Sequence, residues 1–240
     1  DAQIEIERND QRHSQHGYRL DLPSPHLHGV NISRLNFSFA NLQGARLDGA
    51  NMKDAMFERA NLRDAHLEGA NLARAQMSRA YLCRARLEAA WFRNTNLRHA
   101  DMRRARMEIA TFKGAEMTGV LLDNAKMEIA NFEGAQMGGA RLKGAQMAGA
   151  NFTGANLTGA NLSKTEVEDA CFAQADMKGA AIRKADFSSL FIEKEQINQM
   201  YGDRSVLLRP SVRYPRHWPA FDLERVDFKL EWRDWQEDPD

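Results

Sequence analysis

The dominant pattern in the chain is a large apolar residue at every fifth position. All 32 residues at this spacing across 32–187 are Ile, Leu, Met, Phe or Val. Two residues before the large residue stands an Ala, in 27 of the 30 repeats across 40–185. The three exceptions are Thr95, Val120 and Thr165. No insertion breaks this register between residues 30 and 189.

A period of five excludes an amphipathic α-helix and favours short extended segments. Apolar residues five apart on a helix of 3.6 residues per turn point in successively different directions and form no continuous stripe. Residues two apart in an extended segment point to the same side. The pattern therefore predicts that the Ala and the large residue of each repeat face inward, while the other three residues face outward or form a turn.

The repeat has the form Ala-(Asn/Asp)-(Leu/Met/Phe)-X-X and is most regular at residues 150–162. This phrase resembles the repeat of the pentapeptide-repeat family. The resemblance implies an all-β fold, a right-handed four-sided parallel β-helix in which four repeats make one coil of 20 residues. Residues 30–189 then correspond to 8 coils.

The segments outside the repeat are predicted to cover the two ends of the β-helix, because open strand edges would recruit other strands. Residues 1–29 are interpreted as an N-terminal cap with a short strand at 3–8, residues 190–202 as a capping helix, and residues 203–240 as an extended tail with a short strand at 228–232. The tail, with Gly-Asp-Arg-Ser-Val-Leu-Leu-Arg-Pro at 202–210, resembles one found on many bacterial pentapeptide-repeat proteins. Its tryptophans either pin the tail to the rod or dock a partner.

On a 20-residue coil, the β-helix makes columns of residues that lie 20 apart. Central residues 92, 112, 132, 152 and 172 are all Phe, which predicts an inward stack of rings. Gly ends many repeats after residue 110, whereas Arg, Asp or Asn often ends the earlier ones. Because Gly tolerates a positive φ, this difference predicts that turn geometry differs between the two halves.

The outward charges are uneven although the whole chain has a formal net charge of zero. Residues 30–189 carry 22 Lys/Arg and 17 Asp/Glu, a net charge of +5. One face carries an acidic column beside a basic one, which is interpreted as structural. Another surface carries a basic stripe, which is either an ordinary solvated face or an attraction site for phosphate or an acidic protein. The candidate partner-binding residues of this stripe are Arg59, Arg63, Arg79, Arg84, Arg103 and Arg104.

An apolar group also lies at outward positions of the middle coils. Trp91, Ile109 and Ile129 are predicted to stand near one corner, where exposed Trp and Ile together favour a partner contact. The alternative is a patch covered by the termini of the same chain.

Catalytic and cofactor motifs are not evident in the sequence. It shows no phosphate-binding glycine loop, no nucleophile elbow and no zinc-type cysteine spacing. His26 and His28 would share a strand side, but no Cys or well-spaced carboxylate completes a metal site, so no metal and no cofactor are predicted.

Cys83 and Cys171 are predicted to lie too far apart for a disulfide, which favours free thiols and a cytoplasmic location. A segment encoded before Asp1 is left open.

The sequence therefore predicts a non-catalytic binding, scaffold or accessory protein that uses the rigid exterior of its β-helix. The expected partner is a protein, within a larger or membrane-associated assembly, and a homodimer is left open. Nucleic acid is disfavoured because aromatic residues for base stacking are nearly absent. The alternative is inhibition or protection of DNA gyrase, since some members of the resembled family are acidic dimers that mimic DNA. The net charge of +5 disfavours that alternative.

Overall fold

In the computed structural model, residues 21–22 and 24–237 are described, and the repeats within them form a four-sided parallel β-helix. Each side of a coil is a short extended segment that pairs in parallel with the segment 20 residues later. The first such bridge joins Asp21 to Asn41, and the ladder continues without a break in register to the bridge between Asn161 and Ala181. The predicted coil of 20 residues is confirmed.

Pairing extends beyond the predicted repeat at both ends. Asp21 and His26 already pair with residues of the following coil, so residues 21–29 take part in the ladder. At the other end Tyr201 pairs with Ala181, and Leu207 pairs with Asp186. Of the cap predicted at 1–29, residues 1–20 with the short strand at 3–8 lie outside the described residues.

The four sides are called faces 1 to 4 by the large residue at the centre of each repeat. Face 1 has its centres at 32, 52 and every twentieth residue to 172, face 2 at 37 to 177, face 3 at 42 to 182, and face 4 at 27 to 187. The Ala and the large residue of the repeats are buried, as predicted. The interior of the described rod is therefore a continuous and largely apolar core.

The predicted column of Phe rings lies on face 1. The ring centroids from Phe92 to Phe172 are 4.7 to 5.1 Å apart with nearly parallel planes. Phe187, a centre of face 4, lies at the end of the column with its ring centroid 6.2 Å from that of Phe172. Offset stacking of this kind adds to the stability gained from burial.

Turn geometry is the same in both halves, so the prediction of different turns is wrong. The last residue of each repeat has a positive φ from Gly29 to Lys184, whether it is Gly, Arg, Asp or Asn. The reason is the backbone ladder: the N–H of this residue donates to a carbonyl of the next coil in either half, as in Arg104 to Asp123 at 3.1 Å and Gly154 to Ala173 at 2.9 Å. The hydrogen bonds fix the corner, and the side chain has to accept it.

Two helices follow the β-helix within the described part of the chain. Helix α1 spans Lys194–Asn198 and helix α2 spans Arg225–Glu237. The short strand predicted at 228–232 is wrong, because this segment belongs to α2. Phe228, Trp232 and Trp235 alternate with polar residues in part, but their spacings of four and three also place them on one side of a helix. That side packs near Tyr201 at the end of face 3.

The tail tryptophans pin the tail to the rod. Trp218 is buried and its indole N–H donates to the Met200 carbonyl at 2.9 Å. The indole N–H of Trp232 donates to the Gly179 carbonyl at 2.9 Å. Trp235 stacks on His217 with ring centroids 5.0 Å apart. The β-helix therefore holds α2 against its last coils.

A buried ion pair joins the last coil to the tail. The Nε of Arg183 lies 3.2 Å from Oδ2 of Asp203, and both side chains are almost completely buried. The same carboxylate accepts the backbone N–H groups of Ser205 at 2.9 Å and Leu223 at 3.0 Å. Arg183 also donates to the carbonyl of Leu223. Asp203 thus connects three segments that are distant in the sequence.

Candidate functional site

The corner between faces 4 and 1 carries the most exposed large apolar side chains of the repeat. Ile109 and Ile129 end successive repeats of face 4, and their side chains are 66% and 65% exposed. Trp91 takes the Asn/Asp position of a repeat on face 1 and is 58% exposed. It pairs through its backbone with Thr111, which follows Ile109 by two residues. These three residues are called the apolar corner.

The backbone of the two isoleucines is strained. Their φ angles are 63° and 60°, in the left-handed region that L-residues other than Gly, Asn and Asp rarely adopt. Among the described residues with positive φ, Ile109 and Ile129 are the only β-branched ones. Most later repeats end in Gly, which has no such cost. The isoleucines therefore destabilise their own turns and gain little burial within the chain.

The basic candidates lie around face 3, as predicted, but two are ion-paired. Arg84 forms two bonds of 2.7 Å with Asp64, and Arg103 forms bonds of 2.8 and 2.7 Å with Asp101. The hydrogen bond from Arg84 lowers the pKa of the Asp64 carboxyl. Burial alone would raise the pKa of Asp101, but hydrogen bonds from the side chain and backbone of Arg103 bring it below its ordinary value. Arg104 ends a repeat beside this group and is exposed.

The other basic candidates lie near the corner between faces 2 and 3. Arg59 and Arg79 end successive repeats of face 2. The guanidinium of Arg63 lies 4.5 Å from the ring centroid of Tyr81, and that of Arg59 lies 5.8 Å from the ring centroid of Phe39. These contacts are in the range of cation–π interactions. Sequence reasoning missed Phe39, although its place at a corner was readable from the register.

The acidic column of face 4 is matched by basic side chains. Arg86 lies 2.7 Å from Glu68, and Arg106 lies 3.0 Å from Glu88. Each of these pairs joins neighbouring coils. The column is therefore part of a structural ion-pair ladder and does not present an unbroken row of negative charge.

Metal-ligating side chains do not converge within residues 21–22 and 24–237, where no group of three His, Cys, Asp or Glu could hold an ion. His28 contacts Asp48 through Nδ1, and His13 and His16 lie outside the described residues. Cys83 and Cys171 are free thiols.

Among the described residues, neither helix is long and apolar enough to cross a membrane.

Comparison with known proteins identifies the class of repeat. A family model described as pentapeptide repeats (8 copies) matches residues 31–69, 60–98, 92–128 and 130–169, which together make more than half of the chain. No match was found among curated proteins.

Several solved structures of repeat proteins are similar to this chain. HetL, a pentapeptide-repeat protein involved in heterocyst differentiation regulation from the cyanobacterium Nostoc sp. strain PCC 7120, is 24% identical over 84% of this chain and 90% of its own, with a TM-score of 0.44. A trypsin-treated form of QnrB1, a plasmid-mediated fluoroquinolone resistance protein, is 22% identical over 68% of this chain and 90% of its own, with a TM-score of 0.41. Rfr23 from the cyanobacterium Cyanothece 51142 is 17% identical over 84% of this chain and 99% of its own, with a TM-score of 0.18.

The geometry and the family match define a repeat solenoid, a right-handed four-sided parallel β-helix. The chain belongs to the pentapeptide-repeat family.

Proposed function

We propose that this protein is a non-catalytic binding protein that holds a protein partner through the apolar corner formed by Trp91, Ile109 and Ile129. The observation that carries the proposal is the backbone of the two isoleucines. A β-branched residue with positive φ is costly, and the side chains that cause this cost remain exposed. Strain that the fold does not need is found most often at functional positions.

The composition of the apolar corner supports a protein as the partner. Exposed apolar residues that lie together mark protein contacts more often than ordinary surface, and Trp is enriched at their energetic centres. The adjoining outward positions of face 4 carry Glu108 and Glu128, and those of face 1 carry Arg93 and Lys113. An apolar centre with a charged rim is the usual anatomy of a reversible protein interface.

The parallel ladder supports this use of the surface. Every coil is hydrogen-bonded to the next, so the apolar corner is held on rigid backbone and loses little conformational freedom on binding. The arginines of the basic stripe remain candidates for the same or a second contact. Arg84 and Arg103 are weaker candidates than Arg104, because each already pairs with an aspartate of this chain.

Mimicry of DNA is a poorer explanation of the surface. The described repeat has a net positive charge, and arginines of face 4 neutralise its acidic column. Inhibition or protection of DNA gyrase is retained as the alternative. A supercoiling assay tests it, and supercoiling that the protein does not change would exclude it.

The proposal is tested by capture from an extract of the source organism, followed by titration of the identified partner. Trp91→Ser should weaken that partner's binding by about tenfold or more, the loss expected when an exposed tryptophan anchor is removed. Met56→Ser is the matched control, since Met56 occupies the same position of a repeat on face 2 and is also exposed. Equal affinity of the two variants and the unchanged protein would refute the assignment to this corner.

A further inference from the structure

A cleft of about 650 Å³ lies between face 3 of the last coils and helix α2. Its floor is made mostly by outward residues of face 3 between positions 141 and 184, and Phe228 and Trp232 of α2 form one wall. Its size is in the range of pockets that bind small molecules. Helix α2 supplies one side of the cleft, which lies on a different face from the apolar corner.

The charge of the cleft is strongly positive. Its lining contains seven Lys or Arg residues and two acidic residues, Asp123 and Glu224. Two of the seven are committed to the fold: Arg183 pairs with the buried Asp203, and Arg141 lies 3.1 Å from Asp123. Five cations are left in the cleft.

These five cations have no carboxylate within 4 Å among the described residues. They come from three consecutive coils and from α2, and are Lys143, Lys164, Lys184, Arg225 and Lys229. Elsewhere on the rod, many basic side chains are paired with an acid of a neighbouring coil, as Arg74 is with Asp54 and Arg86 with Glu68. Others have no salt bridge, for example Arg79 and Lys126, but in the cleft α2 adds two cations opposite three lysines that have none.

The surroundings of Lys143 disfavour its charged form. Burial first, and then the charges of Arg225 and Lys164, lower the pKa of the Lys143 ammonium group. A multivalent anion would relieve this repulsion, and the enclosed position would strengthen its attraction to each cation relative to open water.

We propose that the basic cleft is a binding site for a small molecule that carries two or more phosphate groups. Several separate cations match a ligand with several anionic groups better than a ligand with a single anionic group. A groove closed by a helix fits a small ligand better than a duplex, and the aromatic wall of Phe228 and Trp232 offers an apolar surface for an organic part of such a ligand.

The first test uses the unmodified protein and lysine labelling at near-neutral pH, read out by mass spectrometry. Inorganic tripolyphosphate should protect Lys143 and Lys164 from an amine reagent while leaving Lys126 and Lys178, which lie on faces 4 and 2, equally reactive. Equal protection of all four lysines would show non-specific attraction and overturn the proposal. So would an absence of protection at physiological ionic strength.

The second test measures affinity by calorimetry. Lys143→Gln combined with Lys164→Gln should weaken tripolyphosphate binding by about tenfold or more, since two direct charge contacts are lost. Lys126→Gln combined with Lys178→Gln removes the same charge outside the cleft and should change affinity by less than about twofold. Equal effects of the two double variants would overturn the proposal.

The same titration separates the possible sources of the phosphate. Tighter binding of ATP than of tripolyphosphate would show that the aromatic wall takes part, and equal binding would show that the phosphates alone are recognised. An aspartate-rich peptide that binds more tightly than both would contradict a phosphate site and assign the cleft to acidic protein segments.

Discussion

A single backbone angle at the end of each repeat distinguishes side chains that the fold needs from side chains that it only tolerates. The positive φ is imposed by the ladder at every corner, so Gly is the residue of least cost there. Arg, Asp and Asn adopt the angle at many corners, and some of them offset its cost by an ion pair with a neighbouring coil, as Arg74 does with Asp54. The side chains of Ile109 and Ile129 form no such compensating pair within the described chain.

Replacing the strained isoleucines should therefore stabilise the protein. We expect Ile109→Gly and Ile129→Gly each to raise the free energy of unfolding by about 0.5–1 kcal/mol, because relief of left-handed strain exceeds the entropy that Gly adds to the unfolded chain. Urea denaturation measures this. Asn124→Gly is the control at another corner and should gain less, since Asn tolerates the angle. Loss of stability in both Ile variants would show that the side chains are held by the fold.

The buried carboxylate of Asp203 should be the most sensitive acidic position. Asp203→Ala is expected to cost about 3–5 kcal/mol, because it leaves Arg183 buried without its partner. Asp64→Ala, which removes an exposed ion pair with Arg84, should change stability little. Thermal unfolding of both variants measures the difference, and equal melting temperatures would contradict the role of Asp203 as a connection between coil and tail.

Acid should weaken the rod through the buried Asp101. The pKa of Asp101 is lowered in the folded state. Its contribution is therefore complete above the unfolded pKa of about 3.9 and is lost as the pH falls through the lower folded value. The urea midpoint should fall as the pH is reduced below about 4. D101N should reduce the slope of this fall, and an unchanged slope would show that the Asp101–Arg103 pair contributes nothing.

Helix α2 is attached to the rod along one side only. Phe228 is buried, and Trp232 bonds to the Gly179 carbonyl, whereas Leu230 is exposed. The last bridge of the ladder joins Asp186 to Leu207. The coils are therefore complete before α2 begins, and α2 should detach without unfolding them.

Removal of the buried side chain should release this helix selectively. Phe228→Ala is expected to expose the segment after residue 220 to limited proteolysis while the circular dichroism of the β-helix is retained. In Leu230→Ala, a change on the same helix, the protease should cleave the tail no faster than in the unmodified chain. Release of the tail in both variants, or loss of the β-helix signal, would contradict the independence of the coils from α2.

The repeating part of the molecule was predictable because one short rule acts at every residue. A period of five with Ala and a large apolar residue determines the coil, the faces and the Phe column, and the register places Trp91 and Ile109 outside. The helix at 225–237 was not predictable in this way, since Phe228-Lys229-Leu230-Glu231-Trp232 satisfies both the strand and the helix pattern. The basic cleft depends on how that helix folds back, so its cations could be named from the sequence but not brought together.

The most direct test of the apolar corner combines stability and affinity in one variant. The double variant Ile109→Gly with Ile129→Gly should unfold at a higher urea concentration than the unmodified protein. Its Kd for the identified partner should nevertheless rise by about tenfold or more, a combination that misfolding cannot produce. Asn94→Gly with Asn124→Gly changes two corners elsewhere and should keep the partner. Sedimentation of the unmodified protein decides whether that partner is a second copy of the chain. Unchanged affinity in the double Ile variant would contradict the proposed function.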